Sequence, residues 1–183
     1  SFIESNTTLY RALAENKIIP YYQWIRNNLT QKIEKFEVLA RIVVDGEIIT
    51  PYKFLEPARL SGILPEITKI MIDKSFRDMQ EYTCEFSINI TEEDLTRDYL
   101  LDYLNKKSLE YNMNPERVIL EILEGVSSDV KNDHVQQLSE IKSHGYSLAI
   151  DDFGSEYSNF ERVLDLDIDY LKIDAKYIKD IHT

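Results

Sequence analysis

The sequence has little that would suit a membrane-spanning, disulfide-bonded or nucleic-acid-coating protein. No apolar run approaches the roughly 20 residues that a membrane-spanning helix needs, and no signal peptide opens the chain. The single cysteine, Cys84, excludes an intrachain disulfide and fits a reducing cytoplasm. Basic residues number 21 against 33 acidic ones, and the net charge of −12 disfavours binding to nucleic acid polymers. A glycine-rich phosphate loop and sequence repeats are also missing.

What is present is an alternation of strand-like and helix-like segments over 183 residues, enough for one domain with a sizeable core. Two runs rich in β-branched and aromatic residues predict a first hairpin, and later strand-like runs alternate with segments of helical spacing. We predict strands at 18–26, 33–44, 84–90, 118–123, 147–150 and 168–173, and helices at 1–17, 51–60, 65–82, 91–112, 130–143, 158–164 and 176–181. This pattern predicts an α/β fold with a mostly parallel sheet, either doubly wound or part of a barrel.

Polar side chains interrupt one apolar strand after another. Glu37, Asn89 and Glu121 lie inside predicted strands, and Asp151 and Asp152 end another. An isolated charge in a buried strand is costly, and the C-terminal ends of strands in a parallel barrel meet at one mouth, where active sites form. An all-oxygen set at that mouth suits Mg²⁺ or Mn²⁺, whereas the three histidines and one cysteine show no zinc-ligand spacing.

Two of these patterns also have a simpler interpretation. The pair Asp151-Asp152 equally fits a helix N-cap in a solvated turn. Lys172 and Asp174 lie two residues apart and so on one face of a strand, where Lys172 either holds a water or phosphate oxygen or forms a salt bridge to a neighbouring carboxylate. Carboxylates that bridge two metals, with a lysine beside them, suit in-line attack of water on a phosphodiester.

Five short motifs, in this order along the chain, resemble those of the EAL domain family, which hydrolyses the bacterial second messenger cyclic di-GMP. They are Glu37-Val38-Leu39-Ala40-Arg41, Ser87-Ile88-Asn89-Ile90, Glu121-Ile122-Leu123-Glu124, Asp151-Asp152-Phe153-Gly154 and Lys172-Ile173-Asp174. Each motif is weak alone, but five in this order form a specific signal that covers about residue 18 to the end. The resemblance implies a TIM-like (β/α)₈ barrel with an antiparallel first strand, of which about six strands would be present.

The resemblance also implies roles for individual residues. The ligands of two divalent ions, Mg²⁺ or Mn²⁺, would be Glu37, Asn89, Glu121, Asp151 and Asp152. Catalysis would involve Glu37, Asp152 and Lys172, with Lys172 near the attacking water, and Glu124 would anchor the loop after Asp152. Contacts to the substrate would come from Gln23, Leu39, Arg41 and Asp174. The reaction would open cyclic di-GMP to linear pGpG.

The match departs from the family pattern at four positions. Trp24, Val38 and Leu123 stand where the family has proline, alanine and threonine. Glu156 stands where the second glycine of the loop after Asp152 belongs. If that glycine adopts a positive φ, a glutamate there costs on the order of 1 kcal/mol and adds a negative charge near the metals. We expect a displaced loop and reduced activity, unless the loop re-routes without harm.

The family pattern continues with strands that carry a further glutamate and glutamine, which would lie beyond Thr183. The sequence is then either a fragment or a truncated barrel, and because a barrel that lacks two strands would expose unpaired sheet edges, we favour a fragment that is inactive by itself. In this interpretation 1–17 is a linker helix from an upstream region and 18–183 is an EAL domain incomplete at its C-terminus. Three functions are weighed: a cyclic di-GMP phosphodiesterase, a catalytically impaired EAL module that binds cyclic di-GMP or a protein partner, and an unrelated Mg²⁺-dependent phosphatase. The retained metal ligands favour the first. The family also makes a homodimer and an upstream GGDEF or sensory domain candidate partners, although no residue here indicates either.

Overall fold

The structure is a computed structural model, and it describes residues 2–26, 29–123, 132–153 and 168–173. Its helices are α1 (Phe2–Ala14), α2 (Pro51–Leu60), α3 (Leu64–Met79), α4 (Glu92–Thr96), α5 (Leu100–Glu110) and α6 (Asn132–Ser143). Its strands are β1 (Ile18–Arg26), β2 (Ile33–Val44), β3 (Glu47–Ile49), β4 (Glu85–Ile90), β5 (Val118–Leu123), β6 (Ser147–Phe153) and β7 (Tyr170–Ile173). No helix in these ranges is both long and apolar enough to span a membrane.

The strands form one sheet in the order β1-β2-β4-β5-β6-β7, and β3 also pairs with β2. β1 runs antiparallel to β2, and each later pair on this path is parallel. The predicted α/β fold with an antiparallel first strand is confirmed. β3 was not predicted, because its three residues after the turn at Asp45-Gly46 are too few for a periodic signal. Within the described residues the sheet is open, with β1 and β7 as its edges.

The core lies between the helices and one face of the sheet. That face contributes the buried side chains Val38, Ile42, Val44, Phe86, Ile88, Ile90, Val118, Leu120, Ile122 and Leu148. From α3, Phe76 is fully buried and contacts Phe86 edge to face, with the ring centroids 5.8 Å apart. Because side chains alternate along a strand, the opposite face is left to the residues in between, and these include the predicted site positions.

One predicted helix is wrong in extent. A single helix was expected from Thr91 to residue 112, but the structure has two helices, α4 and α5, separated at residues 97–99. Asp98 adopts a φ of 50°, a left-handed conformation that cannot continue an α-helix. Aspartate reaches this conformation more readily than most residues, so a helix can end there without a glycine or proline in the sequence.

Helix α1 belongs to the packed body of the molecule. Leu9 and Ala12 are fully buried in the common core. Arg11 donates through both terminal nitrogens to the Asp45 carboxylate, at 3.0 and 3.2 Å, and so links α1 to the turn after β2. The division into a linker helix over 1–17 and a domain over 18–183 stays a prediction.

Candidate functional site

The strand register places the first site residues on one face of the sheet. Gln23 pairs with Glu37 across β1 and β2, and Glu37 pairs with Ser87 across β2 and β4. Asn89, two residues after Ser87, pairs with Glu121 on β5. Paired residues in neighbouring strands share a face, as do residues two apart in one strand. The structure therefore brings Glu37, Asn89 and Glu121 onto the face opposite the helices, on three consecutive strands.

The register continues this arrangement toward β6. Glu121 pairs with Ala149, and Leu123 pairs with Asp151. Asp151 therefore lies one strand away from Glu121 and two residues further toward the C-terminal end of the sheet. Neighbouring strands are about 4.8 Å apart, so each step across the sheet adds a potential ligand within reach of the last.

The register becomes irregular where β6 meets β7. Ala149 pairs with Tyr170, which places Lys172 two residues further along β7, and the register shifts between residues 150 and 153. This irregularity coincides with Asp151 and Asp152. A bulge breaks strict alternation, so two consecutive residues need not take opposite faces. For Asp151, Asp152 and Lys172 the structure describes the backbone only, and their roles stay predictions.

The described side chains differ in exposure. Glu121 is 3% exposed, Glu37 is half-buried, and Asn89 and Gln23 are exposed. Arg41 is half-buried; its Nη1 donates to the carbonyl of Ala40 at 2.8 Å, and its guanidinium lies 5.9 Å from the centre of the Tyr21 ring. Leu39, also half-buried, lies between Glu37 and Arg41 on the same strand face. The substrate contacts predicted for Gln23, Leu39 and Arg41 are not tested by this geometry.

Three residues of the sequence-based site lie outside the described residues. They are Glu124, predicted to anchor the loop after Asp152, Asp174, predicted to contact the substrate, and Glu156, which replaces the family's glycine.

A cavity of about 340 Å³ lies between the middle of β2, the C-terminal end of β4 and the helices α2 and α3. Residues 37–40 of β2 and 88–91 at the end of β4 form one wall, and Pro51, Leu55, Leu64, Ile67, Thr68 and Met71 of α2 and α3 form the other. A mostly apolar cavity with a few polar groups converging at one end is the usual form of a small-molecule site. This cavity adjoins Glu37 and Asn89, two of the three described residues that are predicted to bind metal.

The sequence profile of the EAL domain matches residues 6–183. The chain belongs to the EAL domain family.

Known members resemble this EAL domain over most of its length. The chain is 30% identical over 179 residues to the cyclic di-GMP phosphodiesterase PdeB of Shewanella oneidensis. The aligned region covers 93% of this chain and 21% of PdeB. Other curated relatives are likewise matched over a fifth to a third of their length.

Solved structures support the same family fold. The PaMucR phosphodiesterase in complex with c-di-GMP superposes with a TM-score of 0.89 at 23% identity, covering 98% of this chain and 75% of that one. The S helix–GGDEF–EAL part of LapD from Vibrio cholerae, bound to c-di-GMP, gives 0.82 at 16% identity, covering 95% and 43%. At these identities the likeness shows the fold alone, and it confirms the TIM-like EAL architecture rather than a doubly wound sheet.

The donor set of this EAL domain fits a hard divalent cation. Glu37, Asn89 and Glu121 supply only oxygen, and no histidine or cysteine lies at these strand positions. In the described part of the chain no three acidic, histidine or cysteine side chains cluster as a metal site on their own.

Ser87 is the first residue of the motif that carries Asn89, and no role was predicted for it. It lies opposite Glu37 and two residues before Asn89, on the site face of the EAL domain. It is 2% exposed, and among the described residues its Oγ has no hydrogen-bond partner. The alternation of β4 was the signal that could have identified it, since residues 87 and 89 share a face.

Proposed function

We propose that this EAL domain hydrolyses cyclic di-GMP to linear pGpG with the help of two divalent ions, Mg²⁺ or Mn²⁺. The observation that carries the proposal is the placement of Glu37, Asn89 and Glu121 on one face of three consecutive strands. Relatives named as cyclic di-GMP phosphodiesterases suggest the substrate.

The chain's residues take distinct roles in this reaction. Five oxygen ligands, from Glu37, Asn89, Glu121, Asp151 and Asp152, would hold the ions, which when bound favour deprotonation of water and offset phosphate charge. Lys172 would orient the attacking water, with Glu37 and Asp152 beside it. The water oxygen adds to phosphorus, the bond between phosphorus and the 3′ oxygen breaks, and that oxygen takes up a proton.

Substrate binding would fall to residues around the metal ligands. Arg41 would contact a phosphate, Gln23 would contact the nucleotide, and Leu39 and Asp174 would add further contacts to the substrate. Glu124 would hold the loop that follows β6. The protein carries a net charge of −12 and the ligand two phosphate charges, so cations at the site are needed to offset the repulsion.

A second candidate function is a catalytically impaired EAL module that binds cyclic di-GMP or a protein partner. The observation that favours it is Glu156 in place of the family's glycine. For either function we propose a cytoplasmic setting, a homodimer and an upstream GGDEF or sensory domain as partners.

The test is chromatographic turnover of cyclic di-GMP by the full-length protein with Mg²⁺ or Mn²⁺. Linear pGpG should form with the wild type and with Glu47→Gln, an exposed carboxylate on β3, and should vanish in Glu37→Ala. Unchanged hydrolysis in Glu37→Ala would show that the site is wrongly assigned. Tight binding of intact cyclic di-GMP without product would instead establish the impaired module.

A further inference from the structure

The carboxylate of Asp94 is fully buried and collects hydrogen bonds from three elements. Its Oδ2 accepts from the Thr91 backbone N–H at 2.8 Å, from the Thr91 hydroxyl at 3.0 Å and from the Thr68 hydroxyl at 2.8 Å. Its Oδ1 accepts from the Tyr99 phenol at 2.6 Å. Such bonds offset the cost of removing a carboxylate from water. The Asp94 cluster, consisting of Asp94, Thr91, Thr68 and Tyr99, thus joins α3, α4 and the start of α5.

The cluster is more than a helix cap requires. Thr91 and Asp94 alone complete a capping box, in which the Asp94 N–H also donates to the Thr91 hydroxyl at 3.3 Å. The helix that they cap, α4, has only five residues, whereas the longer helices α2, α3 and α5 have no side-chain cap hydrogen bond. Capping of α4 therefore does not account for the additional hydrogen bonds from Thr68 and Tyr99. They fix where α4 begins relative to its neighbours.

The hydrogen bonds of the Asp94 cluster position the C-terminal end of β4. Thr91 follows Asn89 by two residues, so its backbone N–H is held almost directly after the predicted metal ligand. Thr68 and Thr91 also line the cavity that Glu37 and Asn89 border. Burial and the neighbouring carboxylate raise the pKa of Tyr99, so its phenol stays a hydrogen-bond donor well into the alkaline range.

We propose that Asp94 is a positioning residue for the metal site, holding Asn89 in its coordinating place by anchoring the β4–α4 junction to α3 and α5. The inference rests on the proposed function, because it assumes that Asn89 binds metal. Outer partners of metal ligands typically contribute 10- to 100-fold in affinity. Since Asp94 acts through the backbone, we expect the lower end of that range.

The experiment compares single-hydroxyl deletions with matched controls in full-length protein. Tyr99→Phe and Thr68→Val each remove one donor to Asp94. Tyr103→Phe removes a similar phenol on α5, which donates to the carbonyl of Lys69 at 3.1 Å, and Ser75→Ala removes a buried α3 hydroxyl bonded to a helix carbonyl at 3.3 Å. None of the four is a predicted metal ligand. Mn²⁺ affinity, read from the EPR signal of free Mn²⁺, is the primary measurement, with Tm recorded for each variant.

We expect the Mn²⁺ dissociation constant to rise about tenfold in Tyr99→Phe and Thr68→Val and to stay within twofold of wild type in both controls. The half-saturating Mn²⁺ concentration for turnover should rise in parallel, and saturating Mn²⁺ should restore most of kcat. Equal losses in cluster and control variants of similar Tm would make the cluster merely structural and overturn the proposal. If wild type bound no Mn²⁺ at all, the proposed function would fail first.

Discussion

Replacing Glu121 by glutamine should remove about half or more of the stabilisation that divalent metal gives to the protein. Glu121 is 3% exposed on the site face of β5, so water cannot take over the place of its carboxylate. A ligand present at one hundred times its dissociation constant stabilises a fold by about 2.7 kcal/mol. For a chain of this size each kcal/mol is worth roughly 2–4 °C, so saturating Mn²⁺ should raise the wild-type Tm by about 5–11 °C.

The variant keeps the shape of the side chain but loses its charge. Loss of even an outer partner weakens metal binding about tenfold, and loss of a direct ligand should weaken it at least as much. At the same Mn²⁺ concentration a tenfold weaker site yields about 1.4 kcal/mol, or a shift of about 3–6 °C. A hundredfold weaker site yields about 0.4 kcal/mol, which is close to the resolution of the assay.

Differential scanning calorimetry with and without Mn²⁺ makes the comparison, and Glu85→Gln is the matched control. Glu85 is a second carboxylate on the same face, near the opposite end of the sheet, where it accepts a hydrogen bond from Tyr170 at 3.1 Å. Its glutamine variant should retain the full Mn²⁺ shift. A Glu121→Gln protein that kept the wild-type shift would refute the placement of metal at Glu121.

Three further outcomes are expected. Glu156→Gly should raise turnover severalfold by restoring the family's loop glycine, and an unchanged kcat would count against an impaired loop. Phe76→Ala should cost about 3–5 kcal/mol in urea unfolding because Phe76 is fully buried, whereas Leu109→Ala, 85% exposed, should cost little; similar losses would contradict the core assignment. Burial raises the pKa of Tyr22 and Tyr99, helped by neighbouring carboxylates, so the folded state keeps phenolic protons that the unfolded chain loses above about pH 10. The free energy of unfolding should therefore fall above about pH 10, and it should fall less steeply in Tyr22→Phe and Tyr99→Phe. Equal urea midpoints at pH 9 and 11 would disprove this.

Hydrogen bonds from phenols to carboxylates recur in this acidic protein. Besides Tyr99 with Asp94 and Tyr170 with Glu85, Tyr22 donates to Asp78 at 2.7 Å and Tyr111 donates to Asp73 at 2.9 Å. With 33 acidic residues and 21 basic ones, salt bridges cannot serve every carboxylate. The phenols therefore supply neutral donors to these carboxylates, both where a cation is also paired, as Lys107 is with Asp73 and Arg77 with Asp78, and where only hydroxyl and amide donors are present, as at Asp94.

The sequence predicted those strands whose limits are set by local runs of apolar residues. β1, β2 and β5 begin and end where their apolar runs do. Glu37, Asn89 and Glu121 could be singled out because each interrupts an apolar strand, but their common face follows from the register between the strands. The break at Asp98 carried no glycine or proline signal. The bond between Thr68 and Asp94 joins distant parts of the chain, so only tertiary packing could reveal it.

β2 pairs with three strands, β1, β3 and β4. A slip of one residue would send Glu37 and Arg41 to the helix side and bring Val38 and Ile42 to the site face, while breaking pairs with all three neighbours. Insertions or deletions within this strand are therefore far more damaging than in the turn at Asp45, which faces solvent. Outside the predicted site residues we expect the strand to tolerate changes between apolar side chains, as Val38 in place of the family's alanine illustrates, but no change of length.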